Sequence, residues 1–288
     1  MTKILLIGSS GFLGSHLTRA LGQGFEIIPF DITLGDDMRD QDKVCASVKN
    51  IDAIFFFGAA AVGRRNIDGS TNVGDIEYDG LRTVANVAAD LKKPIFYASS
   101  IRVYGTTAEM AAGEHSDLHP TSVYGKTKLR CERALVEIMQ DAGVPYYIFR
   151  MAAIYGNGMP ADFIVASFLR DVRAGKAIHL LSTGTQKRNF VHINDVCEGF
   201  TRFLCSDRKE AGIYNLAHAD TTQVLDLIKL CGRVTGKTPQ VYPASNILPE
   251  SDEILAIEKL ERVTGWRAQI TLSEGLAALY DAFVTFRV

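Results

Sequence analysis

The chain has 288 residues, 47% of them hydrophobic and 22% charged, with a formal net charge of −2. That is the balance of an ordinary globular chain with ample core, without the basic field a nucleic-acid partner needs or the polybasic cluster that holds a protein to a membrane. The opening apolar run is too short for a signal peptide, and no run is long enough to span a bilayer. Five cysteines, an odd number with no CxxC or His/Cys metal spacing, read as reduced core thiols, so no metal is expected and the location expected is the cytoplasm.

The first element predicted is a strand over Ile4–Ile7, a continuous apolar run of the kind buried on both faces of a parallel sheet. It stops at a glycine-punctuated turn, Gly8, Gly11 and Gly14, after which Phe12, Leu13, Leu17 and Leu21 recur at helical spacing. The three glycines have separate physical roles, which are turning the chain, letting backbone approach a pyrophosphate, and letting helix pack closely on strand. Backbone N–H groups at the helix start would hold the phosphates, helped by the helix dipole. The next strand, Phe25–Phe30, ends at Asp31, seventeen residues beyond Gly14. A carboxylate there accepts from both ribose hydroxyls and repels a 2′-phosphate, which selects NAD over NADP.

A short helix near Gln41–Val48 precedes a strand over Ala53–Phe57 that ends among small residues, leaving room for a ligand at the strand tops. Val62–Asp75 reads as a loop, with Arg64 and Arg65 a solvated pair on it. A helix from about Ile76 to Leu91 leads past Pro94 into the strand Ile95–Ala98 and on into S-S-I-R-V-Y-G, Ser99 to Gly105. Tyr124 stands twenty-four residues past Ser100, with Lys128 one helical turn further on the same face. A free phenol titrates near ~10, too high for a base at neutral pH, so a tyrosine base needs a fixed positive neighbour. Lys128 and an oxidised nicotinamide supply one, Tyr124 takes the proton of a hydroxyl whose carbon gives up hydride, and Ser100 holds the same oxygen. Later elements are a helix over Asp162–Ala174, a strand over Ala177–Leu181, a strand-to-helix junction at His192 with Asn194 or Asp195 as the cap, a surface helix over Thr221–Thr235 carrying Cys231, and Trp266 as a core anchor.

Taken together, these motifs resemble the extended short-chain dehydrogenase/reductases of the sugar-nucleotide epimerase/dehydratase type. The likeness runs through nearly the whole chain, adding Arg150–Gly156, R-N-F-V-H-I-N-D-V (Arg188–Val196), I-Y-N-L (Ile213–Leu216) and the closing Gly265–Leu276. It implies an α/β fold, a doubly wound parallel Rossmann sheet over residues 1–150 with a smaller substrate-binding portion over 151–288, some of whose segments return to the first. It implies NAD contacts at Gly8, Gly11, Phe12, Leu13, Gly14, Asp31, Asp37, Met38, Phe57, Gly58, Ala59, Ala98, Ser99, Tyr124, Lys128 and Met151. It implies a nucleoside-diphosphate sugar meeting Ser100, Ile101, Arg102, Ala153 and Arg188, and a homodimer through the helix that carries Tyr124 and Lys128.

Departures from the family pattern narrow the reaction. Sugar 4,6-dehydratases carry an Asp-Glu pair where this chain has Ile101 and Arg102, and the related decarboxylases keep a glutamate at the second place, so elimination and decarboxylation lack their acid. What is left is 4-epimerisation through a transient ketone, or reduction or oxidation of a keto-sugar or a non-sugar ketone; a protein that binds NAD without turnover has no need of an activated phenol. Asn positions of the family are Ala153 and Glu77 here, a family His is Phe56, and a second pyrophosphate-gripping arginine has no counterpart between Val234 and Glu261. On the sequence, half of the clamp begun by Arg188 is missing.

Overall fold

A computed structural model describes residues 1–22, 24–58, 73–105, 111–243 and 251–285. Ala59, the Arg64–Arg65 pair and the loop read from Val62 to residue 72 lie outside the described residues.

The first half alternates strand and helix: β1 (Lys3–Ile7), α1 (Phe12–Leu21), β2 (Glu26–Phe30), α2 (Gln41–Val48), β3 (Ala53–Phe56), α3 (Val73–Asp90), β4 (Ile95–Ser100), α4 (Val123–Asp141) and β5 (Tyr146–Met151). The second half adds β6 (Ala153–Tyr155), α5 (Ile164–Arg173), β7 (Ile178–Leu180), β8 (Lys187–His192), α6 (Ile193–Cys205), β9 (Gly212–Leu216), β10 (Thr221–Gln223), α7 (Val224–Thr235), β11 (Val241–Pro243), α8 (Glu258–Thr264) and α9 (Leu272–Thr285).

Six strands form one parallel sheet in the order β2-β1-β3-β4-β5-β9. β3 and β4 are buried at every residue, as the apolar runs Ala53–Phe56 and Ile95–Ala98 require of strands covered on both faces. β2 is one of the two edge strands, the place where Pro29, with no N–H to give a ladder, is tolerated. One face of the sheet packs on α1 and α6 through Leu17, Phe55, Phe96, Phe149, Phe200 and Phe203, and the other carries Leu81, Val84, Leu135 and Met139 of α3 and α4. A third apolar cluster, including Tyr155, Leu169, Phe190, Leu227 and Leu276, holds the second half together.

The sequence boundary at residue 150 is not where the sheet ends. β9 pairs with β5 from Tyr147↔Gly212 to Met151↔Leu216, so a strand of the second half completes the first half's sheet. Val73–Asp75, read as the end of a loop, open α3 instead, with Asp75 in the first turn where a carboxylate suits the helix dipole. The cap of α6 is His192, not Asn194 or Asp195: burial pulls its imidazole below the usual histidine range, and its Nδ1 accepts from the Asn194 N–H. Asp195 instead accepts from the N–H groups of Gln269 and Ile270. Thr221–Gln223 is a strand antiparallel to β8, and the helix starts at Val224 with Cys231 buried. Trp266 is buried against Gly199. Cys131, Cys197 and Cys231 lie in the core, Cys45 is half-buried and Cys205 is exposed at the end of α6, where a terminal turn is no longer covered. No helix among the described residues is long and apolar enough to cross a membrane.

Candidate active site

The strand order reverses direction around β1, with β2 on one side and β3 on the other, and ligands of open α/β sheets bind above such a point. Here the first glycine turn closes on the end of β3. Gly8 has φ +85°, and a Cβ on it would lie 2.8 Å from Phe57 and Gly58 backbone atoms; a Cβ on Gly14 would lie 2.1 Å from the Gly8 carbonyl oxygen. Helix α1 starts at Phe12 behind Gly11, with no side chain capping it and no acid in its first turn. The result is a backbone-walled cradle at a helix N-terminus, the form that takes a pyrophosphate.

Asp31 ends β2 beside this cradle. Its carboxylate accepts from the Ser10 N–H at 3.1 Å, the Thr33 N–H at 3.0 Å and the Thr33 hydroxyl at 2.8 Å. Partial burial pulls its pKa up, but the bonds from Thr33 and Ser10 outweigh that, and it sits below the usual carboxylate value. The nearby cations are already paired: Arg39 forms a forked pair with Asp37, and Lys43 pairs with Asp36 at 2.8 Å. An ionised Asp31 with its basic neighbours neutralised fits a free ribose diol, hence NAD, and rejects a 2′-phosphate. Met38 packs over Gly58 and Gly80, where a side chain on either glycine would displace it. Phe12 and Leu13 lie half-buried against the core, and the Phe57 ring packs on Phe55 and Phe200 at 5.4 and 5.3 Å. Met151 is buried beside Ser100, its partner in register on β4.

Ser100 closes β4 and caps the short 3-10 turn Ile101–Val103, its hydroxyl accepting from the Arg102 N–H at 3.2 Å. Ser122 caps α4 in the same way through the Gly125 N–H. A Cβ on Gly125 would fall 2.4 Å from the Arg102 carbonyl oxygen, so the first turn of α4 lies directly against the turn behind Ser100. This contact is what brings Tyr124 to the top of β4. Lys128, one turn on, is buried, with its ammonium donating to the Ala98 carbonyl at 2.9 Å and to Glu77 at 2.7 Å and lying 5.6 Å from the Tyr124 ring centroid. Burial works against its charge, but Glu77 and then Tyr124 outweigh it, and Lys128 titrates well above the usual lysine value. Glu77 also accepts from the Tyr97 hydroxyl at 2.9 Å.

Not every residue read as a contact faces the site. Ile101 is buried in the core, because the 3-10 turn points its side chain back under the sheet top. Ser99 alternates to the opposite face from Ser100, and its hydroxyl donates to Glu132. Ala153 opens β6 beside Phe190 and is half-buried. Arg188 on β8 is buried and paired with Glu253, whose other oxygen takes Arg102 at 2.7 Å. Glu253 and the role of Glu77 escape a reading of the sequence alone; the one available signal is that Glu77 replaces an asparagine of the family pattern.

The fold has counterparts among known proteins. A UDP-glucose 4-epimerase of Arabidopsis thaliana is 24% identical, covering 97% of this chain and 94% of its own. The UDP-glucose 4-epimerase of Thermus thermophilus, solved with NAD, superposes with a TM-score of 0.85 at 22% identity over 99% of this chain and 100% of that one. The dTDP-glucose 4,6-dehydratase DesIV of Streptomyces venezuelae, solved with NAD, gives a TM-score of 0.89 at 23% identity over 99% and 98% of the two chains. A family model for NAD dependent epimerases and dehydratases matches residues 4–217. With the glycine cradle and Asp31 in place beneath it, this match makes the chain a member of the NAD-dependent epimerase/dehydratase family, an enzyme with NAD as its cofactor.

Proposed function

We propose that the enzyme inverts a carbinol centre of a nucleoside-diphosphate sugar, as a 4-epimerase does, through a transient ketone. The observation that carries this reading is the convergence of Ser100, Tyr124 and Lys128 at the end of β4, beside the cradle, in a site with no acid at Ile101 or Arg102. The chemistry a bound NAD would supply is reversible hydride acceptance from the carbinol carbon. Gly8, Gly11 and Gly14 would hold the NAD pyrophosphate, and Asp31 would accept from its ribose hydroxyls. Tyr124 removes the hydroxyl proton as the carbon is oxidised and returns it as the carbonyl is reduced on the opposite face. Ser100 donates to the same oxygen and fixes its distance from Tyr124. Lys128, kept protonated by Glu77, favours the phenolate. The family resemblance further suggests a homodimer through α4, the helix that carries Tyr124 and Lys128.

A second reading, reduction of a keto-sugar or a simpler ketone, draws support from Ala153, which offers no side-chain amide to a substrate phosphate. Incubation with a panel of nucleotide sugars, followed by absorbance at about 340 nm and by NMR of the products, separates the two. Epimerisation gives a new sugar with no net absorbance change; a reductase consumes supplied cofactor in step with a keto compound. Under the first reading Tyr124→Phe loses at least ~10²-fold in turnover while NAD binding is kept. An active Tyr124→Phe enzyme overturns the mechanism.

A further inference from the structure

The missing half of the diphosphate clamp has a candidate that the sequence hides. Arg188 on β8 and Arg102 on the turn behind Ser100 come from different halves of the chain, yet their Nη1 atoms meet the two oxygens of one carboxylate, Glu253. Glu253 is held by backbone: its N–H donates to the Lys187 carbonyl at 2.9 Å and its carbonyl accepts from the Asn189 N–H at 3.2 Å. Asp252 beside it accepts from the Lys187 N–H at 2.7 Å, and the Leu255 N–H donates to the Asn189 side chain at 2.8 Å. The carboxylate is thus fixed along β8, with side-chain exposures of 12% for Glu253, 8% for Arg188 and 45% for Arg102.

An anion lying between two guanidinium groups is the arrangement that a diphosphate makes with two arginines. Arg102 lies two residues past Ser100, and Asp252 adds a second carboxylate at the edge of the cluster. Arg102, nearly half exposed, can turn toward a ligand at low cost, whereas Arg188 is fixed by the strand.

Resting on the nucleotide-sugar reading, we propose that Arg102 is the second guanidinium of the diphosphate site, bracketing the phosphates with Arg188, and that Glu253 is an internal anion competing with the ligand for both arginines. The family pattern puts an acid where Arg102 stands, so the same position that removes an eliminating acid supplies the phosphate grip.

Titration of UDP, dTDP and GDP into the NAD-loaded full-length enzyme by calorimetry tests this, with uridine as a ligand lacking phosphates. Arg102→Ala is expected to weaken nucleoside-diphosphate binding about tenfold, the scale of a lost charge-assisted hydrogen bond, and to leave uridine unaffected. Glu253→Gln, which keeps shape and hydrogen bonding but removes the competing charge, is expected to tighten binding several-fold. A thermal melt and NAD titration of each variant establish that it is folded, and Arg102→Gln serves as a second, less drastic substitution. If the native enzyme binds diphosphates and Arg102→Ala and Arg102→Gln bind them equally well, the inference fails while the nucleotide-sugar reading stands. If Glu253→Gln weakens binding, Glu253 is a brace for the arginines and the competition is overturned. If the native enzyme binds none of the three at millimolar concentration, both the inference and the reading fall.

Discussion

Two buried ion pairs hang from successive turns of α4, and they are built differently. Glu132 faces Arg150 of β5 through a fork, Nη2 to Oε2 at 2.7 Å and Nε at 3.1 and 3.2 Å from the two oxygens, and also accepts from the Ser99 hydroxyl. Arg150 spends a further donor on the Glu114 carbonyl at 3.2 Å and lies 4.8 Å from the Tyr104 ring centroid. All three guanidinium nitrogens of Arg150 and both carboxylate oxygens of Glu132 have protein partners, which makes the pair a brace tying helix to sheet. Lys128, four residues earlier, meets Glu77 at a single point, and its described hydrogen bonds use two of its three N–H donors. Its neighbours include the ring of Tyr124. Burial is the same for both pairs, at 2–4% of the side chain exposed, so burial alone does not separate a brace from a working group. What separates them is geometry: Arg150 is held in a fork, whereas Lys128 meets its carboxylate at one point and lies 5.6 Å from the Tyr124 ring centroid.

The largest expected effect follows from the brace. Glu132→Ala leaves the Arg150 guanidinium buried without its counter-ion, which costs about 3–5 kcal/mol of stability. Urea unfolding monitored by circular dichroism measures it, and the folded fraction should keep its NAD affinity. A loss under about 1 kcal/mol would mean that Arg150 finds water or another partner, and the contrast with Lys128 would lose its meaning.

The same contrast marks what could be read before the fold was known. Gly8, Gly11, Gly14, Asp31, Ser100 and the Tyr124–Lys128 pair follow from spacing within one strand, turn or helix, and the structure sets the first turn of α4 against the turn behind Ser100, with the Lys128 ammonium on the Ala98 carbonyl and 5.6 Å from the Tyr124 ring centroid. The counter-ions do not: Glu132 lies 18 residues from Arg150, Glu77 lies 51 from Lys128 and Glu253 lies 65 from Arg188. Such pairings depend on which strands adjoin, and no local period encodes that. Ile101 shows the reverse failure. A family position suggests a substrate contact, but a hydrophobic side chain in a 3-10 turn above the core turns into it.

Glu77→Gln tests the working half of the comparison and has an intermediate effect. Glutamine keeps an acceptor for Lys128 and Tyr97 but takes away a negative charge from a cluster made of Glu77 on α3, Tyr97 on β4, and Tyr124, Lys128 and Cys131 on α4. Tyr97 is buried and held well above the ordinary phenol value, and burial pushes Cys131 up to about 12, so neither titrates in the working range. With Glu77 neutral, burial of the remaining ammonium is uncompensated and the Tyr124–Lys128 couple gives up its first proton more readily, whichever group keeps the second. The rising limb of the pH–rate profile for alcohol oxidation is expected to move to lower pH by about one unit. An unmoved limb with NAD binding intact would make Glu77 another brace.

The smallest expected effect belongs to Tyr97→Phe. The ring keeps its place in the core, but one hydrogen bond to Glu77, 2.9 Å in the native enzyme, is lost. A bond to a charged acceptor contributes about 1.5–3 kcal/mol, and Glu77 still holds Lys128, so a loss near the lower end is expected in urea unfolding. Because Tyr97 is a neutral donor on both sides of the working pH range, its removal changes no charge in the cluster. The pH–rate limb should therefore stay within about 0.3 unit of the native enzyme's, well short of the shift for Glu77→Gln. A limb that moved as far in Tyr97→Phe as in Glu77→Gln would show that hydrogen bonding to Glu77, and not its charge, sets the behaviour of Tyr124 and Lys128, and the distinction between the two ion pairs would rest on geometry alone.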